Sequence, residues 1–186
     1  HYVRKHELIL SVMALDMFAV LFGGAVSILP AFVKEVLNAG PEALGILRAA
    51  PAAGAVITGI YLARRPLLKD SGRYLFLSVA GFGLAIIAFG ISNHLWLCAF
   101  FLFISGCCDS ISVVIRGSVM QLTTPDHMRG RVSAVHMLFT GTSNQLGEFR
   151  AGVSAGFFGA VQAAVLGGVG TLVIAGIWLP TFPSLR

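Results

Sequence analysis

The run from Leu95 to Leu122 constrains this chain most, because it is almost entirely apolar or small and yet carries two charges. At about 1.5 Å per residue, it is long enough as a helix to cross a hydrocarbon core about 30 Å thick. Asp109 and Arg116 are close to two helical turns apart, so both side chains project from one face. A charge facing lipid costs at least about 2.5 kcal/mol. We therefore expect this face to contact a partner helix or a water-filled cavity.

The composition indicates an integral membrane protein surrounded by a lipid bilayer. Hydrophobic residues make up 56% of the chain and charged residues 11%, whereas soluble domains carry about 25% charged residues. The formal charge of +5 does not indicate a nucleic-acid partner, because the basic residues lie in short loops, where they orient helices. The cysteines share one apolar run without metal-ligand spacing, and catalytic motifs are absent. We expect no metal, no cofactor and no enzyme activity.

The hydropathy pattern predicts an all-α, polytopic membrane protein with six transmembrane helices. The predicted spans within a bundle of residues 8–180 are 8–33, 41–63, 74–91, 95–122, 132–158 and 161–179. Residues 1–7 are predicted to be the end of a cytoplasmic linker, and residues 181–186 a cytoplasmic tail. The turn between the last two spans is predicted near Gly159 to Gln162, because a turn at Glu148 leaves the fifth span shorter than the roughly 20 residues required.

The loop charges predict the orientation of the six spans. Nearly all loop Lys and Arg residues fall on one side of the predicted bundle, and only Lys34 falls on the other. The positive side of such a protein is cytoplasmic. We therefore expect a plasma-membrane protein with both ends in the cytoplasm. The first residue is His1 rather than Met, which suggests a piece of something longer.

Three ionisable residues inside the spans are candidates for translocation or coupling. Asp16 in the first span and Arg116 in the fourth lie at similar predicted depths, so they can pair if the two helices touch. Such a pair is either a structural contact that fixes helix register or a gate that changes between two states. Asp109 lies near mid-membrane, where it either takes part in a proton-coupled step or packs helices by bonding to a nearby serine.

The fifth span is unusually polar. Its polar side chains either line a cavity or join helices; they are Thr140, Thr142, Ser143, Asn144, Gln145 and Glu148. Asn144 and Glu148 are four residues apart and so share a face. Glu148 lies near the predicted depth of Arg48 in the second span, so these two can pair, although Arg150 could compete for the same carboxylate.

Three stretches resemble the second half of a major facilitator superfamily transporter. They are LDMFAVLFGGA at 15–25, the segment from Asp109 through the loop TPDHMRGRV, and GTSNQLGEF at 141–149. More narrowly, they resemble the efflux subgroup that includes the enterobactin exporter. The resemblance implies that the six spans form one half of a twelve-helix fold, with substrate bound near the midplane between the two halves.

The resemblance also implies where the candidate residues lie. The first and fourth spans would line the central cavity, consistent with Asp16 facing Arg116. The second and fifth spans would face the missing half; the residues expected at this cavity or seam are Arg48, Asn144, Gln145 and Glu148. Arg129, Gly130 and Arg131 would belong to a cytoplasmic loop motif.

The predicted function is secondary active efflux of a small molecule by alternating access, coupled to protons. The expected partners are a missing N-terminal six-helix half and the small-molecule substrate. Two alternatives stay open at this point. One is a small six-helix protein that transports as a homodimer, and the other is a membrane scaffold that does not transport.

Overall fold

The computed structural model describes residues 14, 17–18, 21–64 and 71–181. Within these ranges all regular secondary structure is helical, as the hydropathy pattern predicts. The helices are α1 (Ala25–Glu35), α2 (Pro41–Arg64), α3 (Ser71–Ile91), α4 (Leu95–Thr123), α5 (Arg129–Phe158) and α6 (Ala160–Thr181). A single 3₁₀ turn at Asp126–Met128 precedes α5.

Four of these helices are long and apolar enough to span a bilayer. Within the described part of the chain they are Pro41–Arg64, Gly72–Ile91, Leu95–Thr123 and Ala160–Ile177. The fifth helix has 30 residues, but polar and charged side chains interrupt its apolar ones. The chain is therefore a multi-pass membrane protein whose fifth helix is the polar member of the bundle.

The helix ends follow local chemistry. Gly159 alone separates α5 from α6 and has φ +87°, a conformation that costs glycine little because it has no Cβ. Since α5 continues unbroken to Phe158, Glu148 lies well inside a helix. The last helix continues through Pro180 to Thr181, two residues beyond the predicted end. The predicted linker at 1–7 and the tail from 182 onward lie outside the described residues.

The first predicted span is divided. Its described residues are helical at Ala14, at 17–18 and at 21–22, and the helical conformation is lost at Gly23 and Gly24 before α1 begins. Two adjacent glycines lower the cost of leaving the helix, because glycine gains the most conformational freedom outside it. The described part of this span therefore contains a break where the sequence has GG.

The remaining helices pack closely through small residues. The most extensive contacts join α2 to α4, α3 to α6 and α3 to α4, while α1 contacts α5, α6 and α2. At the α2–α4 crossing, a Cβ on Gly54 would collide with the carbonyl oxygen of Phe103, and one on Gly106 with the backbone of Pro51. Such close backbone approach is how membrane helices gain packing contacts without a hydrophobic driving force.

The buried side chains form two apolar clusters. The larger one joins all six helices and includes Phe32 and Phe89, whose ring centroids are 4.5 Å apart. The smaller one lies between α3, α4 and α6 and contains Leu75, Val79, Ile115 and Ala175. The break in the first span borders the larger cluster, where a Cβ on Gly24 would lie 3.4 Å from Cβ of Ala151.

Candidate functional site

A largely apolar pocket with a few polar side chains lies beside the break in the first span. It has a volume of about 210 Å³. Its walls come from the break, α1, α2, α3, α4 and α5; the lining residues are Gly23, Gly24, Val26, Ser27, Pro51, Phe82, Ile86, Leu102, Ser105, Gly106, Asp109, Asn144 and Glu148. Most of the wall is apolar, and the polar groups come mainly from α4 and α5. This combination of an apolar cavity with a few polar groups is typical of small-molecule sites.

Two carboxylates and one amide give the pocket its polar character. Asp109 comes from α4, while Asn144 and Glu148 come from successive turns of one α5 face. All three are exposed, whereas Ser105 is buried and donates its hydroxyl to the carbonyl oxygen of Leu102 at 2.7 Å. The pocket therefore offers carboxylate and amide oxygens to a bound molecule.

Arg150 binds the backbone on the other side of the break. Its Nε donates to the carbonyl oxygen of Leu21 at 3.0 Å, and its Nη2 donates to that of Phe22 at 2.8 Å. The guanidinium also lies 5.3 Å from the centroid of the Phe22 ring. Hydrogen bonds that involve a charged group contribute about 1.5–3 kcal/mol each. Arg150 is therefore a strong link between α5 and the first span.

Sequence reasoning missed this role of Arg150. The sequence suggested that Arg150 competes for the Glu148 carboxylate, but the donors just described serve backbone carbonyls, and the described residues show no ion pair between the two side chains. The available signal was the Gly23–Gly24 pair. Two glycines that interrupt a membrane helix leave carbonyls without their usual donors, and a nearby Arg is suited to supply them.

Asp109 and Arg116 lie on the same helix but in different surroundings. Asp109 is exposed in the pocket, whereas Arg116 is only 5% exposed. Asp109 therefore lines the pocket, whereas the Arg116 side chain is buried against neighbouring parts of the bundle. The Asp16–Arg116 pair predicted from the sequence lies outside the described residues, because Asp16 does.

Two other seam candidates do not line the pocket. Gln145 follows Asn144 on α5 but points to a different part of the surface, and Arg48 is exposed on α2. Glu148 lines the pocket and Arg48 does not, and the described residues show no ion pair between them. The structure therefore brings together Asp109, Asn144 and Glu148, and leaves these two apart from them.

The loop between α4 and α5 is ordered by Arg129. Its Nη1 lies 2.9 Å from Oδ1 of Asp126, and its Nε donates to the carbonyl oxygen of Gln121 at 3.2 Å. A basic side chain on the last carbonyls of a helix is a common C-terminal cap. Gly130 and Arg131 are exposed at the start of α5. The three motif residues thus lie together, where α4 ends and α5 begins.

Taken together, these features define a class of protein: a multi-pass membrane bundle with a broken helix beside a largely apolar pocket that contains two carboxylates and an amide. Residues 1–184 match the model of the family described as transmembrane secretion effector. The chain belongs to this family, which is part of the major facilitator superfamily of transporters.

One relative by sequence is a Bacillus subtilis protein described as the uncharacterized MFS-type transporter YvqJ. It is 30% identical over 188 residues, which cover 98% of this chain and 43% of the relative. The chain therefore spans less than half the length of the curated relative that it matches. No solved structure matches the chain significantly.

Proposed function

We propose that this chain is the C-terminal half of a proton-coupled efflux transporter of the plasma membrane. In this proposal, the half rocks against an N-terminal six-helix half and exposes a shared substrate site alternately to the two sides. Both ends of the chain lie in the cytoplasm, which agrees with the excess of Lys and Arg in loops on one side. The resemblance to the enterobactin-exporter subgroup favours export over uptake.

The observation that carries the proposal is the pair of carboxylates in one largely apolar pocket. Asp109 and Glu148 reach the pocket from α4 and α5, beside the amide of Asn144. A carboxylate in such a place can bind either a proton or a polar group of the substrate. This alternation is what couples proton entry to substrate release. Asp16 and Arg116 are proposed to serve the same coupling from the first and fourth spans.

The remaining candidates have supporting roles in this proposal. Arg48 and Gln145, which are exposed on α2 and α5, would contact the N-terminal half or its substrate. Arg129, Gly130 and Arg131 would form the cytoplasmic loop that changes contacts as the halves rock. The scaffold alternative makes the opposite prediction: because a scaffold does not transport, none of these residues would have a role in transport.

The test uses the full-length transporter that contains this chain, expressed in bacterial cells deficient in drug efflux. The probes are ethidium, Hoechst 33342 and a catecholate siderophore. We expect the cells to retain less of at least one probe, and a protonophore to abolish the difference. Glu148→Gln should lower the initial efflux rate at least tenfold with an unchanged amount of folded protein, because the side chain is exposed in the pocket.

Glu42→Gln is the matched control. It makes the same chemical change on an exposed side chain in the first turn of α2, outside the pocket, and should leave efflux within about twofold of the unmodified protein. The proposal is overturned if none of the three probes is exported. It is also overturned if export resists both the protonophore and Glu148→Gln.

A further inference from the structure

The break in the first span affects the backbone hydrogen bonding of Leu21 and Phe22. In a continuous helix, their carbonyl oxygens would accept the amides four residues later, at Ala25 and Val26. The non-helical residues Gly23 and Gly24 interrupt that pattern before α1 begins. Inside a membrane no bulk water replaces a lost backbone partner, so another donor is required.

Arg150 supplies donors to these two carbonyls together. Nε serves Leu21 and Nη2 serves Phe22. Guanidinium is planar and presents its N–H groups in a fixed fork, which suits it to hold two neighbouring acceptors at once. The half-buried Arg150 therefore occupies the positions that the amides of Ala25 and Val26 would take in an unbroken helix.

Glycines around the break make room for this arrangement. A Cβ on Gly167 of α6 would lie 2.6 Å from the carbonyl oxygen of Phe22 and 3.3 Å from Nη2 of Arg150. A Cβ on Gly24 would lie 2.8 Å from the carbonyl oxygen of Gly147. The broken backbone is thus enclosed on two sides by α5 and α6, with the guanidinium between them.

We infer that Arg150 is a positioning residue for transport: it keeps the first span broken and thereby shapes the pocket that binds substrate. Gly23, Gly24, Val26 and Ser27 line that pocket directly at the break. If Arg150 is removed, the two carbonyls recover the amides of Ala25 and Val26, and the break closes into a continuous helix. The relevance to transport rests on the proposed function, but the structural claim can be tested without it.

The primary experiment measures backbone amide exchange in the purified full-length transporter. In Arg150→Met, exchange in a peptide covering residues 24–29 should slow at least tenfold, because the amides of Ala25 and Val26 become helical donors. Arg150→Lys keeps the charge but not the two-pronged donor, and should give an intermediate slowing. Unchanged or faster exchange in a folded Arg150→Met protein overturns the inference.

Arg73→Met is the matched control, because Arg73 is exposed at the start of α3 and far from the break in sequence. It should leave exchange in residues 24–29 unchanged. If Arg150→Met does not yield folded protein, Arg150→Lys alone decides the matter: slower exchange supports the inference and unchanged exchange overturns it.

Transport provides the second readout. With ethidium as the probe, Arg150→Lys should raise the half-saturating concentration about tenfold and change the maximal rate less than threefold, because the pocket walls move while Asp109 and Glu148 stay in place. An equal fall in rate without a change in half-saturation contradicts a role in shaping the pocket. If the unmodified protein exports nothing, the proposed function fails, and the exchange result still decides the role of Arg150.

Discussion

The α3–α6 and α1–α5 interfaces both bring two helices close together through glycines, but their other contacts differ. At α3–α6, a Cβ on Gly168 would lie 2.7 Å from the carbonyl oxygen of Gly83, and one on Gly90 would lie 2.9 Å from Cβ of Ala164. At α1–α5, Gly24 approaches Gly147 just as closely, but the interface also contains Arg150 and borders the pocket.

The two interfaces differ in whether their contacts can be replaced by other contacts when the helices move. Contacts between small apolar residues depend on close fit, and a fit of this kind tolerates little displacement. Hydrogen bonds from one guanidinium to carbonyls at a helix break can be replaced by hydrogen bonds from other donors, including the amides of the same helix. We therefore expect α3–α6 to act as a rigid support, and α1–α5 to be the interface that changes during transport.

The largest expected effect comes from Gly168→Ala in α6. The added Cβ meets the backbone of α3, which cannot move aside as a side chain can, so the free energy of unfolding should fall by about 3 kcal/mol, the upper end for overpacking. Thermal unfolding in detergent measures this loss. Efflux per folded molecule should remain normal, because Gly168 and the rest of α6 are not among the residues that line the pocket.

Gly176→Ala provides the comparison on the same helix, where a Cβ has open space. Its free energy of unfolding should stay within about 0.5 kcal/mol of the unmodified protein. An equal loss from both substitutions would show that α6 is sensitive to any added side chain, and the claim of a close-fitting α3–α6 interface would be lost.

A smaller effect on stability is expected from Gly24→Ala at the α1–α5 interface. The Cβ meets the carbonyl oxygen of Gly147, but the non-helical backbone at the break can adjust, so we expect a loss of only about 1 kcal/mol, the lower end for overpacking. Efflux per folded molecule should fall at least tenfold, since Gly24 lines the pocket.

Gly141→Ala, on α5 and with open space around it, is the control for Gly24→Ala. The two measurements are thermal unfolding and initial ethidium efflux. If Gly24→Ala lost stability and kept its efflux, the two interfaces would behave alike and the contrast between them would fail.

The smallest effect is expected from Ser110→Ala at the α2–α4 interface. The Ser110 hydroxyl donates to the carbonyl oxygen of Ala55 at 3.2 Å, and a neutral hydrogen bond contributes about 0.5–1.5 kcal/mol. Thermal unfolding should show a loss in this range, whereas Ser133→Ala at an exposed position of α5 should show none. A loss of about 3 kcal/mol would contradict the assignment of a single neutral hydrogen bond to the Ser110 hydroxyl.

Much of the fold follows from the sequence because hydropathy is a local property. Long apolar runs predict helices, since only a helix satisfies its backbone within one membrane segment. The polar fifth span indicates a helix that faces something other than lipid, and in the structure its Asn144 and Glu148 line the pocket. The Gly23–Gly24 interruption is likewise visible in the sequence, where two poor helix formers are adjacent.

The sequence did not determine the partners of the charged side chains. Helical periodicity places Asp109 and Arg116 on one face, but only the arrangement of neighbouring helices leaves the first in a pocket and buries the second. Arg150 seemed suited to Glu148, which is nearby in sequence, yet it binds carbonyls that lie far away along the chain. The sequence by itself determined which segments are helical and contained the glycine pair at which one is broken, because helix formation depends on residues within a few turns. Only the tertiary structure decided what each charge contacts, because that depends on which distant helices pack together.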